Sequence, residues 1–230
     1  MTVKGIDISA WQHPGDAQID WAEVAKAGYS FVMIKSSQGQ DYVNPYLRED
    51  ATGAHDAGLL VGCYHYATPA AGTAELEALH AISAVSGVTM EIGLALDLEE
   101  LGSLQMFEVP QWAQEWLKHV NDAGHSAPVY CNDNYLAQLT GAPWGHRLWL
   151  AFSNIEPGIK PWMHQGPATL VPGIEGEVDT DVLLVPRGVN PSLTVNQGRT
   201  AAATPEVENA PVPLPLAPET PALTATETPA

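Results

Sequence analysis

Along the first 190 residues, short β-branched and apolar runs alternate with longer stretches whose apolar positions recur at helical spacing. The short runs predict eight strands: Val3 to Ser9, Ser30 to Lys35, Leu59 to Tyr66, Ile92 to Glu99, Ala127 to Cys131, Arg147 to Ala151, Pro161 to Gln165 and Glu177 to Leu183. Helical patterns fill the gaps between the early strands: Asp20 to Ala27, Pro45 to Ala57, Thr73 to Val85, Val109 to Ala123 and Asn132 to Leu139. Three of these helices run into Ala-Gly pairs, at Gly28, Gly58 and Gly124, where a left-handed residue ends a helix at low cost. Strand and helix in alternation predict a parallel sheet. Eight strands in so short a chain predict an α/β fold, a compact TIM-type barrel whose last connections have lost their helices. A doubly wound open sheet is the alternative, but no Gly-rich phosphate loop follows the first strand.

Within the strands, alternation sorts side chains by face. In Gly5-Ile6-Asp7-Ile8-Ser9 the isoleucines share one face, while Asp7 and Ser9 share the other. In Leu94-Ala95-Leu96-Asp97-Leu98-Glu99 the leucines point one way, and Asp97 and Glu99 point the other with Cα atoms about 6.7 Å apart. The last strand places Asp179 and Asp181 on a common face, with Glu175 and Glu177 outside it. In a parallel barrel the functional side chains cluster at the C-terminal strand ends, so these acids are the candidate chemistry. Repulsion and burial at such a site separate the pKa values of paired carboxyls. One then serves as a general acid while the other stays ionised, the division that glycoside hydrolysis requires. A structural reading also stands, in which Asp97 pairs with Lys35.

Aromatic residues lie near the same ends: Trp11, Tyr64, Tyr66, Tyr130, Trp149 and Trp162. Rings beside carboxylates and amides suit the apolar faces and hydroxyl edges of sugars. Alternation puts Tyr64 and His65 on opposite faces, so Tyr64 is expected in the site and His65 in a structural role. A metal site built from His65, Asp7, Asp97 and Asp179 is the less favoured use of the same residues. Cys63 and Cys131 are two strand spacings apart, about 9.6 Å and out of disulfide reach, and are expected as buried thiols.

Composition narrows the function further. Nine basic residues against 27 acidic ones give a formal charge of −18, which argues against nucleic-acid binding. No apolar run approaches the roughly 20 residues of a bilayer-spanning helix, and the N-terminus shows no signal-peptide pattern. From residue 201 onward there are 7 prolines, 4 glutamates and no basic or aromatic residue. Residues 191–230 are therefore expected to be a disordered tail or linker beyond a catalytic barrel of residues 1–190.

Taken in order, several motifs resemble the glycoside hydrolase family 25 lysozymes. They are Gly5-Ile6-Asp7-Ile8-Ser9 with Trp11-Gln12, Ile19-Asp20-Trp21, Phe31-Val32-Met33-Ile34-Lys35, Ala57-Gly58-Leu59 and Gly62-Cys63-Tyr64-His65-Tyr66. Leu96-Asp97-Leu98-Glu99, Pro128-Val129-Tyr130, Leu148-Trp149-Leu150-Ala151 and Gly176-Glu177-Val178-Asp179 complete the set. The resemblance implies a (β/α)5(β)3 barrel that cuts the β-1,4 bond between N-acetylmuramic acid and N-acetylglucosamine in bacterial peptidoglycan. It makes Glu99 the general acid and has Asp97 assist the substrate's N-acetyl group. Asp7 and Asp179 are the further site acids, and Tyr64, Tyr130, Trp149, Gln165 and Asp181 are expected substrate contacts. No cofactor is implied. The expected partners are peptidoglycan glycan strands, with no nucleic acid, no membrane insertion and a monomeric state. A start without a leader resembles phage endolysins, which act from the host cytoplasm on the wall, while a secreted bacterial enzyme is the alternative. A retaining, substrate-assisted reaction and a water-mediated inversion both remain open at this point. So do a chitinase-like N-acetylglucosaminidase and a non-catalytic wall-binding module.

Two segments depart from the family pattern. Lys35-Ser36-Ser37-Gln38-Gly39 carries an amide where the family has an acid, and His164-Gln165-Gly166 lacks two aromatic residues.

Overall fold

The computed structural model describes residues 2–132, 134–136, 148–151 and 161–184. The expected tail of residues 191–230, Arg147, and residues 133 and 137–139 of the expected fifth helix lie outside them; residues 134–136 are helical.

All eight expected strands form, as β1 (Thr2–Ile8), β2 (Phe31–Gln38), β4 (Leu60–Tyr66), β5 (Gly93–Leu98), β6 (Val129–Cys131), β7 (Leu148–Leu150), β8 (Met163–Gln165) and β10 (Glu177–Leu184). Two short hairpin strands add to them, β3 (Tyr42–Val43) against β2 and β9 (Thr169–Leu170) against β10. The ladder runs β1-β10-β8-β7-β6-β5-β4-β2 and is closed by the pairing of β2 with β1, giving an eight-stranded barrel. Seven strands are mutually parallel. β10 runs antiparallel to both of its barrel neighbours, which corrects the expectation of a wholly parallel sheet. No helix separates β8 from β10, so the chain returns by a short connection, and a short return delivers an antiparallel strand.

Helices α1 (Trp21–Lys26), α2 (Leu47–Asp56), α3 (Ala74–Ala84) and α4 (Val109–Asp122) lie between the early strands. Asp20 caps α1 by accepting the Glu23 amide at 3.1 Å. Gly28, Gly58 and Gly124 follow α1, α2 and α4 at φ 93°, 86° and 87°, as the helix stops required. None of the described helices is long and apolar enough to cross a membrane.

The buried residues form two separate cores, and alternation assigns them. Ile6, Ile8, Val32, Ile34, Val61, Cys63, Leu94, Leu96 and Leu98 face outward and pack with helix residues such as Trp112 and Trp116. Phe31, Met33, Tyr64, Ala95, Tyr130, Trp149, Met163 and Leu183 fill the barrel interior. Cys63 and Cys131 are free and buried, as expected.

One irregularity matters for the site. The register between β2 and β4 shifts after Lys35, so Lys35 pairs with Tyr64 but Ser37 pairs with His65. The extra residue, Ser36, is buried and donates its hydroxyl to the Tyr64 carbonyl at 2.9 Å. A bulge of this kind reverses the facing of the residues beyond it. It brings Lys35 and Gln38 together, with Nζ donating to Oε1 at 2.7 Å, although simple alternation puts them on opposite faces.

Candidate active site

The acids meet at one end of the barrel. On β1 and β10, Asp7 is the direct register partner of Asp179, and Gly5 is the partner of Asp181. Because β10 is antiparallel, its N-terminal end lies beside the C-terminal end of β1, and this brings Asp179 to the mouth. Asp97 is the penultimate residue of β5, paired with Tyr66 of β4 and Tyr130 of β6, with Glu99 just beyond the strand. Asp7 raises the pKa of Asp97, and Asp179 raises that of Glu99, so the four carboxyls share one electrostatic environment.

Burial is the leading cause of every shift there. It lifts Asp97 well above the carboxylate range, followed by repulsion from Glu99 and Asp7, while Lys35 pulls the other way. Glu99 is raised by burial, then by Asp179 and Glu100, with Lys35 opposing. Asp7 is pushed up to about 7 by burial, although the Gln165 hydrogen bond resists this. Asp179 is also raised by burial. Desolvation thus outweighs the mutual repulsion invoked from the sequence. Asp97 is 5% exposed, and its Oδ1 meets no hydrogen-bond partner among the described residues. A buried carboxylate oxygen in this state is costly unless a ligand or water supplies a donor.

A polar chain underlies the acids. Tyr130 donates its hydroxyl to Gln165 Oε1 at 2.8 Å, and Gln165 Nε2 donates to Asp7 Oδ2 at 2.8 Å. Trp149 Nε1 donates to Asp181 Oδ1 at 2.8 Å. The Trp149 ring meets Tyr130 edge-on at 4.7 Å and Tyr64 at 6.0 Å. Of the residues expected to touch substrate, Tyr64, Tyr130, Trp149, Gln165 and Asp181 all face the interior, Tyr64 and Asp181 as alternation required. Asp181 and Trp149, however, are only 1% and 2% exposed and lie beneath Asp7.

His65 points the other way, as expected. It is fully buried among the outer elements, its ring nitrogens 3.1 Å from Glu77 Oε2 and 2.9 Å from Ser37 Oγ, so it does not join the acids in a metal site.

Lys35 is the site's cation, and sequence reasoning gave it only a structural pairing with Asp97. Its Nζ lies 4.4 Å from the Tyr66 ring centroid and 5.9 Å from that of Tyr42. No Lys35–Asp97 ion pair forms. The neutral Gln38, at the position where the family has an acid, accepts from the ammonium instead. Glu100 is a further acid not singled out in the sequence, accepting the Tyr66 hydroxyl at 2.9 Å. It lies two residues beyond the end of β5, where alternation no longer applies. Beside this cluster a cavity of about 410 Å³ is lined by Ser9, Ala10, Trp11, Lys35, Gln38 and Tyr42, with Trp11 88% exposed at its rim.

Comparison with known proteins agrees with this geometry. The profile of the glycosyl hydrolases family 25 matches residues 6–165. Protein YegX of Escherichia coli K12 is 30% identical over 198 residues, covering 79% of this chain and 69% of YegX. The N,O-diacetylmuramidase of Chalaropsis sp. is 29% identical over 157 residues, covering 61% and 71%. Among solved structures, the catalytic domain of the endolysin ply40 from Listeria monocytogenes bacteriophage P40 superposes with a TM-score of 0.69 at 26% identity, covering 80% of this chain and 94% of that domain. A closed barrel with its acids gathered at one mouth and a family match over residues 6–165, which include Asp7, Asp97 and Glu99, therefore converge: the chain belongs to glycosyl hydrolases family 25 and is a glycoside hydrolase.

Proposed function

We propose that this hydrolase is a lysozyme, cutting the β-1,4 bond between N-acetylmuramic acid and N-acetylglucosamine in bacterial peptidoglycan. The observation that carries the reading is the meeting of Asp7, Asp97, Glu99 and Asp179 at one barrel mouth, with Asp97 holding a buried oxygen that lacks a donor. The muramidase and endolysin names among its relatives support the same substrate.

In this reading Glu99 is the general acid. It is the less enclosed of the β5 pair, so it can reach a glycosidic oxygen, and its raised pKa keeps a proton available for the leaving group. Asp97 lies one alternation step deeper. Its unpartnered Oδ1 accepts the N–H of the substrate's acetamido group and turns the acetyl oxygen toward the anomeric carbon. Deprotonation of Asp97 follows from substrate binding, which supplies the donor that the free site lacks. Asp7 and Asp179, as anions, flank the reacting carbon and favour the oxocarbenium-like transition state. Exposed Trp11 and half-buried Tyr66 offer ring faces to neighbouring sugars.

The test is digestion of purified peptidoglycan, borohydride reduction and mass spectrometry of the products. Reduced muramic acid ends are the expected result. Reduced glucosamine ends would indicate an N-acetylglucosaminidase, and the absence of soluble fragments a binding module; either would overturn the proposal.

A further inference from the structure

Asp181 is the acid that the proposed reaction does not use, and its surroundings are unusual for a carboxylate. It is 1% exposed and sits on the interior face of β10, two residues below Asp179. Its register partner on β1 is Gly5, so no side chain intervenes between it and Asp7 on the diagonal. One oxygen, Oδ1, accepts the Trp149 indole N–H at 2.8 Å. The other, Oδ2, is met by no N–H or hydroxyl among the described residues. Its diagonal neighbour across the β1–β10 pair is the Asp7 carboxyl, whose charge acts on it inside the barrel. Two carboxyl oxygens can hydrogen-bond only when one of them carries a proton. Asp7 already accepts from Gln165, whereas Asp181 has one oxygen with no other donor, so the proton belongs on Asp181.

We propose that Asp181 is a neutral, proton-bearing positioning residue, whose carboxylic O–H donates to Asp7 while its other oxygen accepts from Trp149. The Asp7 carboxylate is then held from two sides, by Gln165 on β8 and by Asp181 on β10, and kept at the mouth without a second negative charge beneath it. This role rests on the lysozyme reading, because it assigns Asp7 a fixed anion in that reaction.

The electrostatic setting agrees. Burial, then the Asp7 charge, drive Asp181 well above the carboxylate range, with the Trp149 hydrogen bond opposing. The titratable groups facing this pair are Asp179 on β10, Tyr64 on β4, Tyr130 on β6, and Asp97 and Glu99 at the end of β5. Lys35 on β2 acts on Asp97 and Glu99 instead, and its ammonium is engaged by Gln38. The two acids titrate as a pair, in which Asp7 gives up its proton before Asp181 does.

Asparagine reproduces a protonated aspartate here, since its amide N–H can donate to Asp7 and its carbonyl can accept from Trp149. Asp181→Asn should therefore keep kcat on purified peptidoglycan within about threefold of the parent protein, with an unmoved alkaline limb in its pH profile. If Asp181 were an anion, removing its charge would lower the Glu99 pKa and move that limb to lower pH. That shift, or a fall in kcat beyond about tenfold, would overturn the proposal. A second measurement needs no substrate. The infrared spectrum of the parent protein at pH 7 should show the carbonyl stretch of protonated carboxylic acids, and the spectrum of Asp181→Asn should lose one carboxyl's share of that intensity, with Asp97 supplying intensity that remains. An unchanged band in the variant, or no such band in the parent, would also overturn it. Failure of the parent to release muropeptides would refute the lysozyme reading while the infrared result still decides the protonation of Asp181.

Discussion

Gln165 joins the buried network to the acids, and Gln165→Met tests that link because it keeps side-chain length and apolar volume while removing both polar atoms. Gln165 Nε2 donates to Asp7 Oδ2 at 2.8 Å, and this bond works against the burial that holds Asp7 at about 7. A hydrogen bond to a charged group contributes about 1.5–3 kcal/mol, which at 1.36 kcal/mol per pKa unit is a rise of about one to two units in Asp7 when it is lost. The sign is upward, because the lost donor stabilised only the ionised form. If turnover requires ionised Asp7, the acid limb of kcat/KM moves to higher pH by that amount, with a loss on the order of 10- to 100-fold at pH 6 that is largely recovered near pH 8 to 9. The Tyr130 hydroxyl also loses its acceptor, at a cost of about 1–3 kcal/mol in stability, which urea denaturation measures separately. A folded variant whose acid limb stays in place would refute the argument. Either Asp7 would not need to be ionised, or Gln165 would not set its pKa.

Other expected outcomes follow from the same structure. Glu99→Gln should lower kcat by about 100-fold or more with little change in KM, as measured on soluble peptidoglycan fragments, since an amide cannot protonate the leaving oxygen. Native-state proton uptake sets the stability profile. Asp7 at about 7 and Asp50 at about 6 lie above the ordinary aspartate value of 3.8, so their contribution is complete below about pH 4 and is lost as pH rises through 6 to 7. His65 and His125 are lowered by burial and act oppositely, but the acids outnumber them, so calorimetry should give a lower Tm at pH 8 than at pH 5. Gly5→Ala should destabilise the barrel by about 1–3 kcal/mol in urea denaturation, because an added Cβ would stand 2.2 Å from the Phe31 ring in the packed interior. A formal charge of −18 opposes approach to anionic cell walls, so turbidity assays should show lysis improving from low to moderate ionic strength. A steep fall on adding salt would contradict that.

The two-residue period of each strand is a local property, and it was legible without a structure. It separated Ile6 and Ile8 from Asp7, the three leucines of β5 from Asp97 and Glu99, and Tyr64 from His65, and each separation reappears as the division between the inner and outer cores. Helix stops at Gly28, Gly58 and Gly124 were equally local, since they depend on the φ of one residue. Alternation carries no information about strand direction or about which strands become neighbours. Only closure of the sheet showed that β10 runs antiparallel and thereby sets Asp179 beside Asp7. Only pairing with β4 revealed the bulge at Ser36 that turns Gln38 toward Lys35. Depth decided the rest. Asp97, Asp181 and Glu99 look alike in the chain, but the barrel leaves Glu99 at the mouth, takes the donors away from one oxygen of Asp97, and seals Asp181 against Asp7. Desolvation depends on everything packed around a group, so it is a property of the assembled barrel rather than of any segment.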